Sequence, residues 1–316
     1  MTYNRNPGFD VVRMVATILI ITTHSASILG FDNSSDFLNN FVYSNTTYFG
    51  LGLFTMLSGA LQMKCNYSVA DFYERRFVRI LIPFVFWATV VYIISAFIGK
   101  YDSIHSVRDA VINYIPALLL NRINIAYWYI YLILLLYLIT PLLIKVFRNN
   151  RKLLAIVLVV WMGVESIFQI KGVAGTVLFY TGLYLLGFFI NEFTKRTRVS
   201  FLCGMGGFLL LFAASSFSTP GFIDFSLNLA SLICLFVGLS SVTRFNLVVQ
   251  SFSRYSFTIY LTHFIFIRSL FTLFPRFFSF SYFMPILMTT IVVVMEYFFC
   301  MFMEKCKFVP NKVVGI

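Results

Sequence analysis

Charge is what this chain lacks most. Only 11% of its 316 residues are Asp, Glu, Lys or Arg, while 59% are hydrophobic. A soluble domain carries roughly 25% charged residues, so the polar coat of a water-soluble core is missing and that class is excluded. Acidic residues are scarcer than basic ones, 12 against 24, giving a net charge of +12. Such a balance suits nucleic acid only where the basic residues form a patch. Here they fall in short clusters between apolar runs, and nucleic acid is not expected as a partner. The five cysteines form no CxxC pair and no even set, so no disulfide framework is implied and buried thiols are expected. No metal site is expected. The first apolar run holds Arg13 and His24 and is not followed by a small-x-small cleavage site, so it reads as a permanent helix and not as a removed signal.

What is present is a series of apolar runs close to the ~20 residues that cross a bilayer. They predict an all-α, polytopic integral membrane bundle of about ten transmembrane helices, near 9–30, 41–63, 78–99, 125–147, 153–169, 175–191, 201–217, 222–242, 257–274 and 283–303. The intervening charges set the orientation. With the N-terminus in the cytoplasm, the inner segments hold Arg5, Lys64, Arg75, Arg76, Arg79, Lys145, Arg148, Arg151, Lys152, Lys195, Arg196, Arg198, Arg244, Arg254, Lys305, Lys307 and Lys312. The outer segments hold only Lys100, Arg108, Arg122, Lys171 and Arg276. A bias of 17 to 5 puts both termini in the cytoplasm. The longest connection, 100–124, carries an amphipathic stretch from Val107 to Leu120, interrupted by Pro116, suited to the outer interface or to re-entry. No soluble domain and no internal repeat is visible, so residues 1–316 read as a single transmembrane domain.

A charge near mid-bilayer costs at least ~2.5 kcal/mol, so each one within a span needs a reason. Arg13 and His24 are eleven residues apart, or about 1100° of helix, which places them on one face about 16 Å apart along the axis. A long ligand with an anionic head and a reactive tail would bridge them, as a coenzyme A thioester does. The alternative is that Arg13 snorkels to the interface, paired with Asp10 one turn earlier, while His24 bonds a neighbouring helix. Arg75, Arg76 and Arg79 precede the third span. Arg76 and Arg79 are one turn apart and form either a phosphate clamp or an ordinary inner anchor. Ser58-Gly59, with Gly50 and Gly52, suggests close helix packing ahead of a nucleophilic role for Ser58. In the last two spans His263 and Glu296 reach similar depths and are candidates to pair, as are Glu165 and Arg268.

Five stretches then match one family in its order. Phe9-Asp10-Val-Val-Arg13 followed by His24 resembles the first helix of the acyltransferase 3 family of membrane-bound acyltransferases. Phe54 with Ser58-Gly59 resembles its second helix, and Arg76-x-x-Arg79 leading to Pro83 resembles its arginine signature. Trp128-Tyr129 with Tyr137 and Pro141 resembles its tryptophan helix, and Ser256 with Tyr260-Leu-Thr-His263 its late histidine helix. One departure stands out: Ala126 occupies a position where many members carry histidine.

The resemblance implies acyl transfer, usually of acetyl from cytosolic acetyl-CoA or of another acyl-CoA group, to a hydroxyl of a surface polysaccharide or its lipid-linked precursor. It implies a multi-pass protein of the plasma membrane, the inner membrane in a bacterium. Arg13, Arg76 and Arg79 would hold the donor phosphates, Asp10 would orient Arg13, and His24 would be the general base or a transient acyl carrier. His263, Glu296, Trp128 and Ser58 would support them. A glycan or lipid-linked saccharide transporter, with the same polar residues lining a path, is the rival reading.

Overall fold

A computed structural model defines residues 6–30, 37–65, 68–97, 106–217, 221–244, 246–275, 283–306 and 310–316. The chain runs α1 (Pro7–Ile28), α2 (Phe37–Gln62), α3 (Val69–Phe97), α4 (Val107–Leu119), α5 (Trp128–Phe147), α6 (Arg151–Phe168) and α7 (Gly172–Phe193). It continues through α8 (Arg198–Ser215), α9 (Phe222–Ser240), α10 (Leu247–Leu273), α11 (Met284–Cys306) and α12 (Asn311–Val314). Among the described residues there is no strand. Ten of these helices coincide with the ten predicted runs, and α4 is the amphipathic stretch. Eight are long and apolar enough to cross a membrane. The remaining two long helices are α6, which carries Arg151, Lys152 and Glu165, and α2, which is diluted by Asn, Ser and Thr. The chain is an all-α polytopic membrane bundle. Its outward side chains fit that setting, since Leu209 and Leu210 of α8 are 62% and 75% exposed, a solvation suited to lipid and not to water.

Two helices begin earlier than hydropathy alone indicates. α3 starts at Val69, where the Ser68 hydroxyl caps the Asp71 amide at 3.1 Å, and α10 starts at Leu247, where Asn246 Oδ1 caps the Val248 amide at 2.9 Å. A cap satisfies an otherwise unbonded amide, so each helix extends past the apolar run into the polar layer. Arg75, Arg76 and Arg79 therefore stand on α3 itself instead of preceding it. Arg5, Lys100, Arg276 and Lys307 lie outside the described residues.

The chain divides into two compact units. The first comprises Met1–Thr23, Gly30–Tyr67 and Ile139–Arg254; the second comprises His24–Leu29, Ser68–Leu138 and Tyr255–Ile316. In the first, α2 and α7 cross closely because neither contact residue has a side chain. A Cβ on Gly59 would overlap the Tyr184 carbonyl, and one on Gly187 would overlap the Met56 backbone. Lys64 at the end of α2 and Arg151 at the start of α6 both bind Glu192 at the end of α7, at 2.7 and 2.8 Å. Three helix ends that the charge map assigns to one side thus share one ion cluster. Gly8 of α1 lies against the Ser240 carbonyl at the end of α9, again two ends the map puts together.

In the second unit, α4 is tied down by hydroxyls. Tyr92 of α3 donates to the Ala110 carbonyl at 2.9 Å, Thr89 and Tyr114 share a 2.6 Å bond, and Tyr131 of α5 donates to the Leu118 carbonyl. The segment from Pro310 to Ile316 packs against α3 and α10. Val314 is fully buried, and its carbonyl accepts from Trp87 Nε1 at 3.1 Å and from Thr258 Oγ1 at 2.8 Å. All five cysteines are free, and only Cys300 is buried, while Cys203 faces outward on α8. The expectation of buried thiols therefore fits one of the five. In a membrane, an outward thiol meets lipid at little cost.

Candidate functional site

The predicted residues fall into local groups, one in the first unit and two in the second. In the first unit, Asp10 sits in the opening turn of α1 and is 2% exposed. A buried carboxylate must be paired or neutralised. Asp10 Oδ1 accepts from the Ser253 hydroxyl of α10 at 2.7 Å and from Arg13 Nη1 at 3.3 Å, and Arg13 Nη1 also reaches Ser253 Oγ at 3.4 Å. The Asp10–Arg13 pairing expected from their one-turn spacing is present. Ser253 was not foreseen, because one serine in Ser251-Phe-Ser-Arg-Tyr-Ser carries no periodic signal. The turn is held from outside by the Arg196 guanidinium, 5.2 Å from the centre of the Phe9 ring. Arg13 keeps about a third of its side chain accessible, 32% by area. It is therefore anchored by a carboxylate and a hydroxyl while part of its side chain stays accessible, which a group that binds an anionic ligand needs.

In the second unit, the α3 arginines differ in exposure. Arg75 and Arg79 are exposed and Arg76 is half-buried. Phe72 below them is buried, with its ring 6.3 Å from that of Tyr137, and the Tyr73 hydroxyl donates to the Leu138 carbonyl at 2.7 Å, so α5 fixes this turn of α3.

The same unit gathers the histidines. The rings of His24 and His263 lie 5.1 Å apart, and Phe264 meets His24 edge-on at 5.7 Å. His263 is fully buried, and its Nδ1 lies 2.7 Å from the Tyr260 carbonyl. A carbonyl only accepts, so this bond assigns the ring hydrogen to Nδ1 and leaves Nε2 with a lone pair. Nε2 has no hydrogen-bond partner among the described residues. The expected bond between His263 and Glu296 is not made. Instead Glu296 Oε1 accepts from the Thr262 hydroxyl at 2.7 Å, while its Oε2 has no hydrogen-bond partner among the described residues. The reason is rotational: 100° per residue turns Thr262 toward α11 and His263 toward His24. Glu165 likewise has an Oε1 without a hydrogen-bond partner among the described residues.

Ala126 is 2% exposed in a 3-10 turn ahead of α5, and its carbonyl accepts from the Tyr260 hydroxyl. The next residue, Tyr127, donates its hydroxyl to the Leu261 carbonyl at 2.9 Å. Position 126 thus lies beside the turn that carries His263, which is where a second imidazole is found in this chain. Trp128 lies 6.1 Å from the Tyr129 ring, which lies 6.1 Å from that of Tyr260, so Trp128 is one aromatic ring removed from the histidine turn. Ser58 is half-buried in the first unit beside Gly59, whose close approach to α7 accounts for the small-residue motif. Among the described residues no cluster of three His, Cys, Asp or Glu could hold a metal.

Residues 6–305, nearly the whole chain, match the family model described as an acyltransferase domain. No curated protein and no solved structure matches the chain.

Proposed function

The chain belongs to the acyltransferase 3 family, and on that premise we propose that it transfers an acyl group, acetyl from acetyl-CoA, to a hydroxyl of a surface polysaccharide or its lipid-linked precursor. It would do so as a single transmembrane domain of the plasma membrane with both termini in the cytoplasm. The observation that carries this reading is the family match, together with α1 bearing both an anchored, half-open arginine and a histidine whose ring is not tied up in a hydrogen bond to described residues.

The chemistry needs two kinds of group. The donor carries phosphates, and Arg13, Arg76 and Arg79 supply cations for them, with Asp10 and Ser253 holding the Arg13 guanidinium. The acceptor O–H bond breaks as the new C–O bond forms and the thioester C–S bond opens, and the proton ends on the departing thiolate. His24 takes that proton from the hydroxyl and returns it to sulfur. His263 Nε2, buried beside His24, is a hydrogen-bond acceptor able to fix the His24 tautomer, which is the service His24 needs to present a free nitrogen to the hydroxyl. The test is incubation of the purified protein with radiolabelled acetyl-CoA and envelope glycan. Label moving to the glycan supports the reading, and saccharide flux across proteoliposomes without modification would replace it with transport.

A further inference from the structure

A second polar cluster lies in the first unit, built from residues given no role in the acyl transfer proposed above. Tyr48 of α2, Trp161 of α6, Phe179 of α7 and Asp224 of α9 converge there, with Glu165 one turn beyond Trp161 and Asn228 one turn beyond Asp224. The Phe179 ring is the centre, 5.8 Å from Tyr48 and 6.1 Å from Trp161. Trp161 can lie directly on α7 because Gly182 has no side chain; a Cβ there would overlap the indole. Glu165 follows Trp161 by one turn on the same face of α6. Asn228 Nδ2 donates to Asp224 Oδ1 at 3.1 Å, and Asp224 is near enough to the Tyr48 hydroxyl to act on it electrostatically.

Four polar atoms in this cluster are buried and have no hydrogen-bond partner among the described residues: the Tyr48 hydroxyl, Trp161 Nε1, Glu165 Oε1 and Asn228 Oδ1. Trp161 and Glu165 are only 5% and 6% exposed. Unpartnered buried polar atoms are uncommon in folded proteins, and four in one place call for an explanation. They are a mixed set: one donor, two acceptors and a hydroxyl that does both. A cation would need only acceptors and an anion only donors. A sugar hydroxyl needs both, and the apolar C–H face of a pyranose ring needs aromatic surface, which Tyr48, Trp161 and Phe179 provide.

The geometry points to a saccharide-binding subsite here, taking one pyranose ring of the acceptor. Its titratable groups, Asp224 and Glu165, are both acids and none of its residues is basic, so it takes neutral or N-acetylated sugars in preference to acidic ones. Along α2, α6 and α7 the cluster stands roughly 15–24 Å from the Lys64–Glu192–Arg151 ion cluster, in the opposite halves of those helices, which the charge map turns outward. This inference rests on the reading of the acceptor as a glycan and adds where, and which kind of sugar, the chain recognises.

The full chain in lipid nanodiscs, free of glycoside detergents, is titrated with methyl hexopyranosides, N-acetylhexosamines and hexuronic acids while tryptophan fluorescence is followed. Neutral and N-acetylated sugars change the emission, and Trp161→Phe removes the change, leaving Trp87 and Trp128 silent. Asn228→Ala and Tyr48→Phe each weaken binding by about 3- to 10-fold, the loss of one neutral hydrogen bond, and raise the acceptor KM with the donor KM unchanged. A response that survives Trp161→Phe, equal binding of hexuronic acids, or wild-type affinity in both binding variants overturns the subsite. Label transfer to glycan with an unchanged acceptor KM in Asn228→Ala also sinks the subsite while leaving the activity standing. Saccharide binding without any transfer from acetyl-CoA does the reverse.

Discussion

Ser253→Ala is the sharpest probe of the donor site, because it removes one atom from a described geometry. The lost bond is a 2.7 Å hydroxyl-to-carboxylate contact on an aspartate that is 2% exposed. Hydrogen bonds to charged groups are worth about 1.5–3 kcal/mol, which bounds the loss of stability from above. Arg13 leans on the same two residues through Nη1, at 3.3 and 3.4 Å. If half of the lost interaction is felt at the guanidinium, donor binding weakens by roughly 0.7–1.5 kcal/mol, or about 3- to 12-fold. Turnover at saturating donor stays near wild type, because the same contact is lost in the ground and transition states. Ser253→Thr keeps the hydroxyl and restores most of the affinity. The assay is coenzyme A binding by calorimetry, with KM and kcat for acetyl-CoA measured alongside. A less stable Ser253→Ala protein with unchanged donor affinity would refute the reasoning and reduce the Asp10–Ser253 contact to a helix anchor.

His24→Gln keeps a polar side chain and loses the base, so turnover falls by about 10²–10⁴-fold while donor binding persists; an active enzyme removes His24 from the chemistry. Arg76→Ala or Arg79→Ala weakens donor binding by roughly 10- to 150-fold and Arg79→Lys recovers only part, since an ammonium replaces a planar fork. Unchanged donor KM in both alanine variants would leave these arginines as topological anchors. Gly59→Val drives a side chain into the Tyr184 carbonyl and destabilises the α2–α7 crossing by about 1–3 kcal/mol in detergent thermal melts. Wild-type melting would show that the crossing is loose. Cysteines introduced at 149 and 197 stay unlabelled by an impermeant thiol reagent in intact cells, whereas one at 170 reacts; the opposite pattern inverts the topology.

The helices were legible because lipid leaves the backbone no alternative. Every apolar run long enough to span had to close its hydrogen bonds internally, and the ten predicted runs are helices. The early starts of α3 and α10 were written in Ser68 and Asn246, cap residues that hydropathy does not weigh. The Asp10–Arg13 pair was readable from its spacing within one helix. The neighbour of His263 was not, because it depends on how α10 is rotated: one residue of phase gave Glu296 to Thr262 and His263 to His24. Ser253 and the Tyr48–Asn228 cluster were invisible for a related reason. Each joins residues on separate helices, and neither polar residues in a span nor aromatics in an apolar run announce which partner they meet.

The Val314 carbonyl has a consequence for biogenesis. It satisfies two donors at once, the Trp87 indole on α3 and the Thr258 hydroxyl on α10. Both helices precede residue 314 in the chain and are made before it. While the chain is being inserted, those two donors must therefore bond to water, to lipid headgroups or to the insertion machinery, and they exchange those partners for Val314 last. Synthesis order thus makes this segment a late stitch of the second unit, fastening α3 to α10 only after both have been made.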